Sequence, residues 1–564
     1  MGLIVRLNQL DRKIFWVDEV ATAIRIGGYT KAEVTQALTD GQWHQPPDLI
    51  AYQQLQPDRA LPDLWSALAN SPEHAPLYFL LLRGWAQIWG SSAIALRSFS
   101  VLCSLLLLGA MYGLSRALFP KHQTARFTVG LVALSPLFIA YAQEARPYSL
   151  WLLWIVLSST YLLSALRLST VQQNSWSRWG LYGLTLTLCL YTSLLSIGVA
   201  IGHGLYVMGQ SVMGQSVMGQ SVMGQSYQSR SGKFNIGGWR ALPRPFVLAW
   251  GLAVGMMLPW LWHVAQQWST LQSNTTWMRL PLPDFARGVI WFYSAAILYF
   301  DVPVILQPWW IAASEVLLAS IAVIVIGYGF YAVYRQHRSA FYFLLCLGFP
   351  VPLLLVGIDL ISDGRYSTAP RYLLPFHLAA QLAVGFLFSD RFSERSWRLV
   401  TVLILGFCLL SIGLHWHSSP RYLKNRNLHN PGLAATINQA RLPLITESVN
   451  TIDLLSLSHL LRSDQPIAIL PPANAPFNSQ SSLSSGSPTD SLTYAPIDPS
   501  IWVALVSANP TIACRFLLFN PSPDLQRYFT DRNWQLTEQY RPSLLLPGEF
   551  ALSVWQVDLP RSRC

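Results

Sequence analysis

Apolar runs long enough to cross a bilayer recur between residues 92 and 416 of a 564-residue chain, each crossing of about 30 Å of hydrocarbon taking roughly 20 helical residues. This dictates an α-helical polytopic membrane protein of about ten spans, because a helix satisfies its own backbone polar groups where no water is available to do so. Composition agrees: 52% of residues are hydrophobic, 12% are charged, and the mean hydropathy of +0.33 lies above that of ordinary soluble domains.

The predicted spans run from Ser92 to Leu114, Phe127 to Tyr141, Ser149 to Leu166, Trp179 to Thr192, Ser193 to Tyr206, Phe246 to Ala265, Trp309 to Val333, Phe341 to Leu360, Tyr372 to Phe388 and Leu399 to His415. The pair around Tyr191-Thr192-Ser193 reads either as two short helices or as one long tilted helix, and the choice reverses the orientation of everything after it. Lys and Arg decide it, since cytoplasmic loops collect them. With Arg116, Lys121 and Arg126 inside and two short helices, four further basic groups fall inside: Arg167 and Arg178; Arg230, Lys233, Arg240 and Arg244; Arg335 and Arg338; Arg391, Arg395 and Arg398. That topology places Asp18 and Glu19, the turn at Glu144, the loop at Arg371 and the whole tail after His415 on the outer face of a cytoplasmic membrane. The net charge of +11 is therefore mostly topological. Its dispersal among short loops excludes a nucleic-acid-binding stripe.

Three regions follow. Residues 1–91 make a first outer loop with the acidic pair, residues 92–416 a membrane domain with a cytoplasmic low-complexity loop at 207–244, and residues 417–564 a small extracytoplasmic α/β domain. Upstream of Asp18, MGLIVRLNQLDRKIFW has too few apolar residues for a span or a signal peptide. Either the chain end is itself translocated or a preceding helix has been lost, and the lost helix is the favoured reading. Four tandem copies of Val-Met-Gly-Gln-Ser from Val207 to Ser226 read as replication slippage in a tolerant connector. In the tail, strand-like runs at Leu444–Thr446, Ile467–Leu470, Trp502–Val506, Phe516–Phe519 and Ser553–Val557 alternate with helical patterns at Thr451–Arg462 and Pro523–Thr530, around a Ser/Pro-rich loop from Asn474 to Ser491. Cys103, Cys189, Cys346 and Cys408 fall in apparent spans, where they pack. Only Cys514 and Cys564 are placed to pair outside, and no Cys/His spacing argues for zinc.

Charge beside a bilayer usually has a job. The pair in Trp16-Val17-Asp18-Glu19 is best read with three other outward segments: Glu73-His74-Ala75-Pro76-Leu77-Tyr78, Tyr141-Ala142-Gln143-Glu144-Ala145-Arg146-Pro147-Tyr148 and Ala369-Pro370-Arg371-Tyr372-Leu373-Leu374-Pro375. In that order and on one side of the membrane they resemble the GT-C glycosyltransferases, and within them the bacterial relatives of protein O-mannosyltransferases and aminoarabinose transferases, glycosyltransferase family 39. The resemblance runs from residue 14 to residue 385 and is best from Glu73 to Arg167. Two features depart from it: the family's first transmembrane helix is absent, and His-Ala-Pro stands where His-Pro-Pro is commoner.

The resemblance implies a GT-C-like fold and an inverting transfer of a sugar from a polyprenyl-phosphate donor to an acceptor hydroxyl at the outer membrane surface. The acceptor is left open among protein, lipid and polysaccharide. Such chemistry needs a carboxylate to take the hydroxyl proton and cations to hold the departing phosphate. By resemblance Asp18 is the general base, with Glu19 in reserve. Arg146 and Arg371 are candidates to clamp phosphate, since guanidinium matches its oxygens bidentately, and His74 joins them or positions the acceptor. Glu144 would orient Arg146, or bind the sugar or a metal. Tyr148 and Tyr372, with Tyr141, would offer the sugar a stacking platform. No cofactor is certain, and a divalent metal shared by Asp18, Glu19 and Glu144 requires the fold to join their loops.

Each assignment has a plainer competitor. The acidic pair would simply cap a helix, the arginines would snorkel to headgroups, the tyrosines would belong to the aromatic belt, and His74 would pack at a helix start. Glu315 and Asp359 read as polar contacts between helices, and His203 and His377 as satisfied packing residues. Two other functions compete: a transporter or flippase of a lipid-linked saccharide, disfavoured because no repeated pair of broken helices is visible, and an inactive truncated homologue. The outer α/β domain would shape acceptor access.

Overall fold

The computed structural model describes residues 2–170, 176–213, 242–301, 309–417, 427–471, 505, 507, 514–542 and 552–558. All ten predicted spans are helical, but among the described residues six helical stretches are long and apolar enough to cross a membrane: Ala93–Leu118, Tyr148–Ser169, Arg244–Gln266, Val316–Gln336, Arg338–Ser362 (counted as one through its break at Phe349) and Arg395–His417. His122–Leu134 and Pro136–Ala142, bent by 61°, make a seventh when counted as one. The bend falls at Pro136, which offers no N–H to the incoming helix and suits the first position of the next. Trp176–Leu190, Ser196–Met213 and Leu374–Arg391 fill the remaining predicted positions.

The choice around Thr192 is resolved as two helices. Between Leu190 and Ser196 the chain turns, and its polar groups are used: Ser196 Oγ donates to Cys189 O (2.7 Å), while Trp151 Nε1 donates to Ser196 Oγ (2.8 Å). The run Phe341–Leu360 is likewise two helices, Arg338–Gly348 and Pro350–Ser362, meeting at Phe349. Close packing rests on small residues. A Cβ on Gly385 would overlap Thr128 Oγ1, and one on Gly202 would overlap the Cys346 carbonyl oxygen. Helices at Leu77–Trp89 and Asp284–Ala296 were not foreseen.

The chain divides into two compact units. One comprises Met1–Leu10, Leu68–Trp85 and Ile94–His417 and holds the spans. The other comprises Asp11–Ala67, Ala86–Ala93 and Ser418–Cys564, so the segment bearing the acidic pair folds with the tail.

In that second unit a five-stranded sheet has the order β2-β1-β3-β5-β4, with β1 Leu444–Glu447, β2 Ile467–Leu470, β3 Arg515–Phe519, β4 Gln535–Tyr540 and β5 Val554–Asp558. β2, β1 and β3 are parallel; β5 pairs antiparallel with β3 and β4. Ile445, Phe516, Leu518, Phe529, Trp534 and Val557 form its core. Residue His44 extends the β2 edge through two backbone bonds of 2.8 Å to Ile467, and Trp43 packs on the core. β4 escaped the sequence reading because QLTEQY is a mostly exposed, polar edge strand. The strand expected at Trp502–Val506 lies outside the described residues except for Leu505, which is helical. The loop Asn474–Ser491 and the repeat after Met213 also lie outside them. Cys514 is disulfide-bonded, whereas Cys103, Cys189, Cys346 and Cys408 are free; Cys564 lies outside the described residues.

Candidate active site

The acidic residues sit on the helix Val17–Gly27. Val17, Val20, Ile24 and Gly27 recur at helical spacing and are buried, giving the helix one face to pack against Thr451–Leu457. It ends at Gly28, whose φ of 87° suits glycine and whose added Cβ would meet Asp63 at 2.9 Å. Asp18 and Glu19 lie in the first turn, where the helix dipole favours carboxylates. Neither is the N-cap residue. That position is Trp16, which makes no side-chain cap bond, and the Val17 N–H instead donates to Asn427 Oδ1 (3.0 Å). The two carboxylates also differ: Glu19 is 1% exposed, while Asp18 is half-buried.

The cationic residues belong to the membrane unit. The helix Pro136–Ala142 stops at Gln143, the chain turns through Glu144-Ala145-Arg146, and the helix Tyr148–Thr170 begins. The turn is held at several points. The Arg146 N–H donates to Glu144 O (2.8 Å), and Ser149 Oγ donates to Tyr141 O (3.2 Å). Tyr141 and Tyr148 rings meet edge to face at 4.9 Å, and the Arg146 guanidinium lies 5.8 Å from the Tyr148 ring. Glu144 and Arg146 are 3% and 5% exposed. Burial to that degree does not fit an arginine snorkelling to headgroups, nor do buried Tyr141 and Tyr148 face lipid as a belt would.

One other motif reaches this turn directly. From the His-Ala-Pro-Leu-Tyr segment, Tyr78 OH bonds Ser100 Oγ (3.1 Å), which donates to Arg146 O (3.3 Å). His74 lies 3.6 Å from the Glu73 carboxylate and packs against the Phe79 ring. From the late loop, the Arg371 guanidinium lies between two rings, 5.3 Å from Trp277 and 5.2 Å from Tyr372. Tyr141 lies within electrostatic reach of Arg371 and Asp301 as well as of Glu144 and Tyr148. Sequence reasoning missed Ser100, Trp277 and Asp301; Tyr78 was visible in its motif, and the other three belong to none.

Gln143 ties the turn to the chain start. Its side-chain amide donates to Val5 O, Arg6 O and Asn8 O (3.2, 3.2 and 3.0 Å), covering carbonyls at the end of the short helix Gly2–Leu7. Buried Arg6 donates to Ser104 Oγ, Val132 O and Ala133 O.

The bland candidates are bland. Asp359 accepts from Tyr366 N–H (2.5 Å) and Ser367 N–H (2.9 Å), organising a loop instead of bridging helices. His203 bonds Ser159 and Tyr182, and His377 bonds Ser294, all buried. The side chain of Glu315 is outside the described residues. Among the described residues no group of three or more His, Cys, Asp or Glu side chains is placed to hold a metal.

The chain has 12% identity to ArnT from Cupriavidus metallidurans bound to undecaprenyl phosphate, with a TM-score of 0.48 over 98% of this chain and 96% of that one. With an Archaeoglobus fulgidus oligosaccharyltransferase tethered to an acceptor peptide, identity is 12% and TM-score 0.40, over 71% of this chain and 55% of the other. No curated protein sequence matches. Residues 73–220, which contain His74, Glu144, Arg146 and Tyr148, match the family of dolichyl-phosphate-mannose-protein mannosyltransferases. Residues 73–220 are thus similar to that family, and the described residues hold six helical stretches long and apolar enough to cross a membrane.

Proposed function

We propose that the chain transfers a sugar from a polyprenyl-phosphate donor to an acceptor hydroxyl on the outer face of a cytoplasmic membrane, with inversion at the anomeric carbon. The observation that carries this reading is the buried Arg146 within the family-matched segment, flanked by Glu144 and Tyr148. The Arg146 guanidinium is buried, and a guanidinium matches the oxygens of a phosphate with two parallel charge-assisted hydrogen bonds.

In this scheme Arg146 and Arg371, with His74, hold the phosphate, while Glu144, Tyr148 and Tyr372 orient the cation and the sugar. Asp18 takes the acceptor proton as the acceptor oxygen bonds C1. The C1–O bond to phosphate breaks, its electron pair stays on oxygen, and the arginines stabilise the polyprenyl phosphate that leaves. Asp18 suits the role better than Glu19 because a base must reach its substrate, and Glu19 is enclosed. The acceptor is a protein, lipid or polysaccharide hydroxyl.

The test is incubation of membranes carrying the chain with radiolabelled polyprenyl-phosphate sugars, wild type against Asp18→Asn. Label that leaves the lipid for another fraction only in the wild type supports the reading. Label that stays on the lipid but changes leaflet overturns it in favour of transport.

A further inference from the structure

We propose that Asn427 and Asp453 are positioning residues for the acidic helix, so that the tail domain sets the geometry of the Asp18 carboxylate. The inference rests on the catalytic reading of Asp18 and adds to it a role for the outer domain in the reaction itself.

The helix Val17–Gly27 has no cap of its own. An ordinary helix start places Ser, Thr, Asp or Asn at the N-cap to satisfy the first N–H groups, but here Trp16 occupies it with extended backbone, and its side chain makes no cap bond. The task falls to a residue 410 positions away: Asn427 Oδ1 accepts from the Val17 N–H at 3.0 Å. Asn427 is buried, and its φ of 66° lies in the left-handed region that Asn tolerates and most residues avoid. Its orientation is set in turn. Nδ2 donates to Asp453 Oδ1 (3.2 Å), and because an ionised carboxylate only accepts, this bond forces the amide to present Oδ1 to Val17. Ser456 Oγ, on the same helix as Asp453, donates to Phe15 O (2.7 Å) and itself accepts from Asn430 Nδ2 (3.1 Å). Two residues before Val17 and the first helical N–H are therefore both clamped to Thr451–Leu457, the helix that follows β1.

Asp18 is the next residue after the clamped N–H. Its carboxylate direction follows the rotation of the first turn, and a displacement of about 1 Å at a reacting group costs on the order of a hundredfold in rate. A capping residue at position 16 would serve stability alone; a cap delivered from the tail domain registers Asp18 to that domain.

The test uses the full chain in membranes. Asn427→Gly keeps the left-handed backbone while deleting both side-chain bonds, Asp453→Asn keeps an acceptor oxygen but no longer forces the amide orientation, and Phe529→Leu weakens the sheet core without touching the clamp. The expected result is a kcat for labelled polyprenyl-phosphate sugar reduced about ten- to a hundredfold in Asn427→Gly, with the donor KM within about twofold, and a smaller reduction in Asp453→Asn. Phe529→Leu should lower thermal stability with kcat per folded molecule unchanged. Equal kcat losses in Asn427→Gly and Phe529→Leu would reduce the clamp to a structural role. A readout independent of turnover completes the test: the rate at which a water-soluble carbodiimide modifies Asp18 should change in Asn427→Gly and not in Phe529→Leu. If Asp18→Asn retains full activity while the modification rate still responds, the catalytic reading fails and the positioning stands; an unresponsive rate overturns the positioning.

Discussion

Asp18 and Glu19 are adjacent in sequence and opposite in environment, and that difference yields the first prediction. Asp18→Asn should lower turnover about a hundredfold or more with insertion intact, measured by label transfer from the lipid donor. Glu19→Gln should act chiefly on stability, because its carboxyl is enclosed. An unchanged rate in Asp18→Asn would reverse the two roles. The same scale governs the cation. Arg146→Lys keeps charge but not the fork, so donor KM should rise about tenfold with a smaller change in kcat. Tyr78→Phe removes the hydroxyl that supports Ser100 beneath Arg146, at a cost of about 1 kcal/mol, read as a modest rise in the same KM. Motif residues such as His74, Glu144 and Arg371 were legible because their chemistry is displayed in the sequence itself. Ser100 and Trp277 were not, because a serine in an apolar run and one of 23 tryptophans carry no local signal.

Among elements, the spans were legible as helices and their lengths were not. Hydropathy marks where lipid or core is needed, but a break such as that at Ser135-Pro136 or Tyr191-Thr192 depends on which partners satisfy the interrupted backbone. Close helix approach depends on glycine. Gly202→Ala and Gly385→Ala each place a methyl inside a neighbour's contact distance, and each should destabilise by about 1–3 kcal/mol, seen as a lowered melting temperature of the solubilised protein. Gly109→Ala, with open space around it, should be neutral and serves as the control. In the tail, β1, β2, β3 and β5 were anticipated from apolar runs. β4 was not, since an exposed edge strand need not alternate.

For the whole molecule, pH and topology provide the tests. Burial raises the Glu447 pKa above its usual value, with the bonds from Ser522 opposing the shift. A carboxyl that holds its proton more tightly folded than unfolded adds stability below the unfolded pKa and loses that contribution as pH rises through the folded one. Tail-domain stability, followed by tryptophan fluorescence on thermal unfolding, should therefore fall as pH climbs from near 4.5 through the raised pKa, and Glu447→Gln should flatten that slope. The proposed orientation predicts that a cysteine placed at exposed Gln539 reacts with an impermeant maleimide in intact cells, whereas one at Ser393 reacts only after lysis. The reverse pattern would invert the topology.

Sequence alone determined that this chain spans a membrane as many helices, that it ends in a mixed α/β domain, and that four polar motifs stand out from an apolar background. Those conclusions follow from local properties: the length of apolar runs, the placement of Lys and Arg, and the side chains a motif displays. Tertiary structure decided what those motifs touch. It linked Tyr78 through Ser100 to the turn at Arg146, enclosed Glu19 while leaving Asp18 half-buried, and folded Asp11–Ala67 with the tail, so that Asn427 caps the helix bearing the acidic pair. Contacts between residues 410 positions apart are set by packing and by the need to satisfy buried polar groups, and neither is written in the residues near either end.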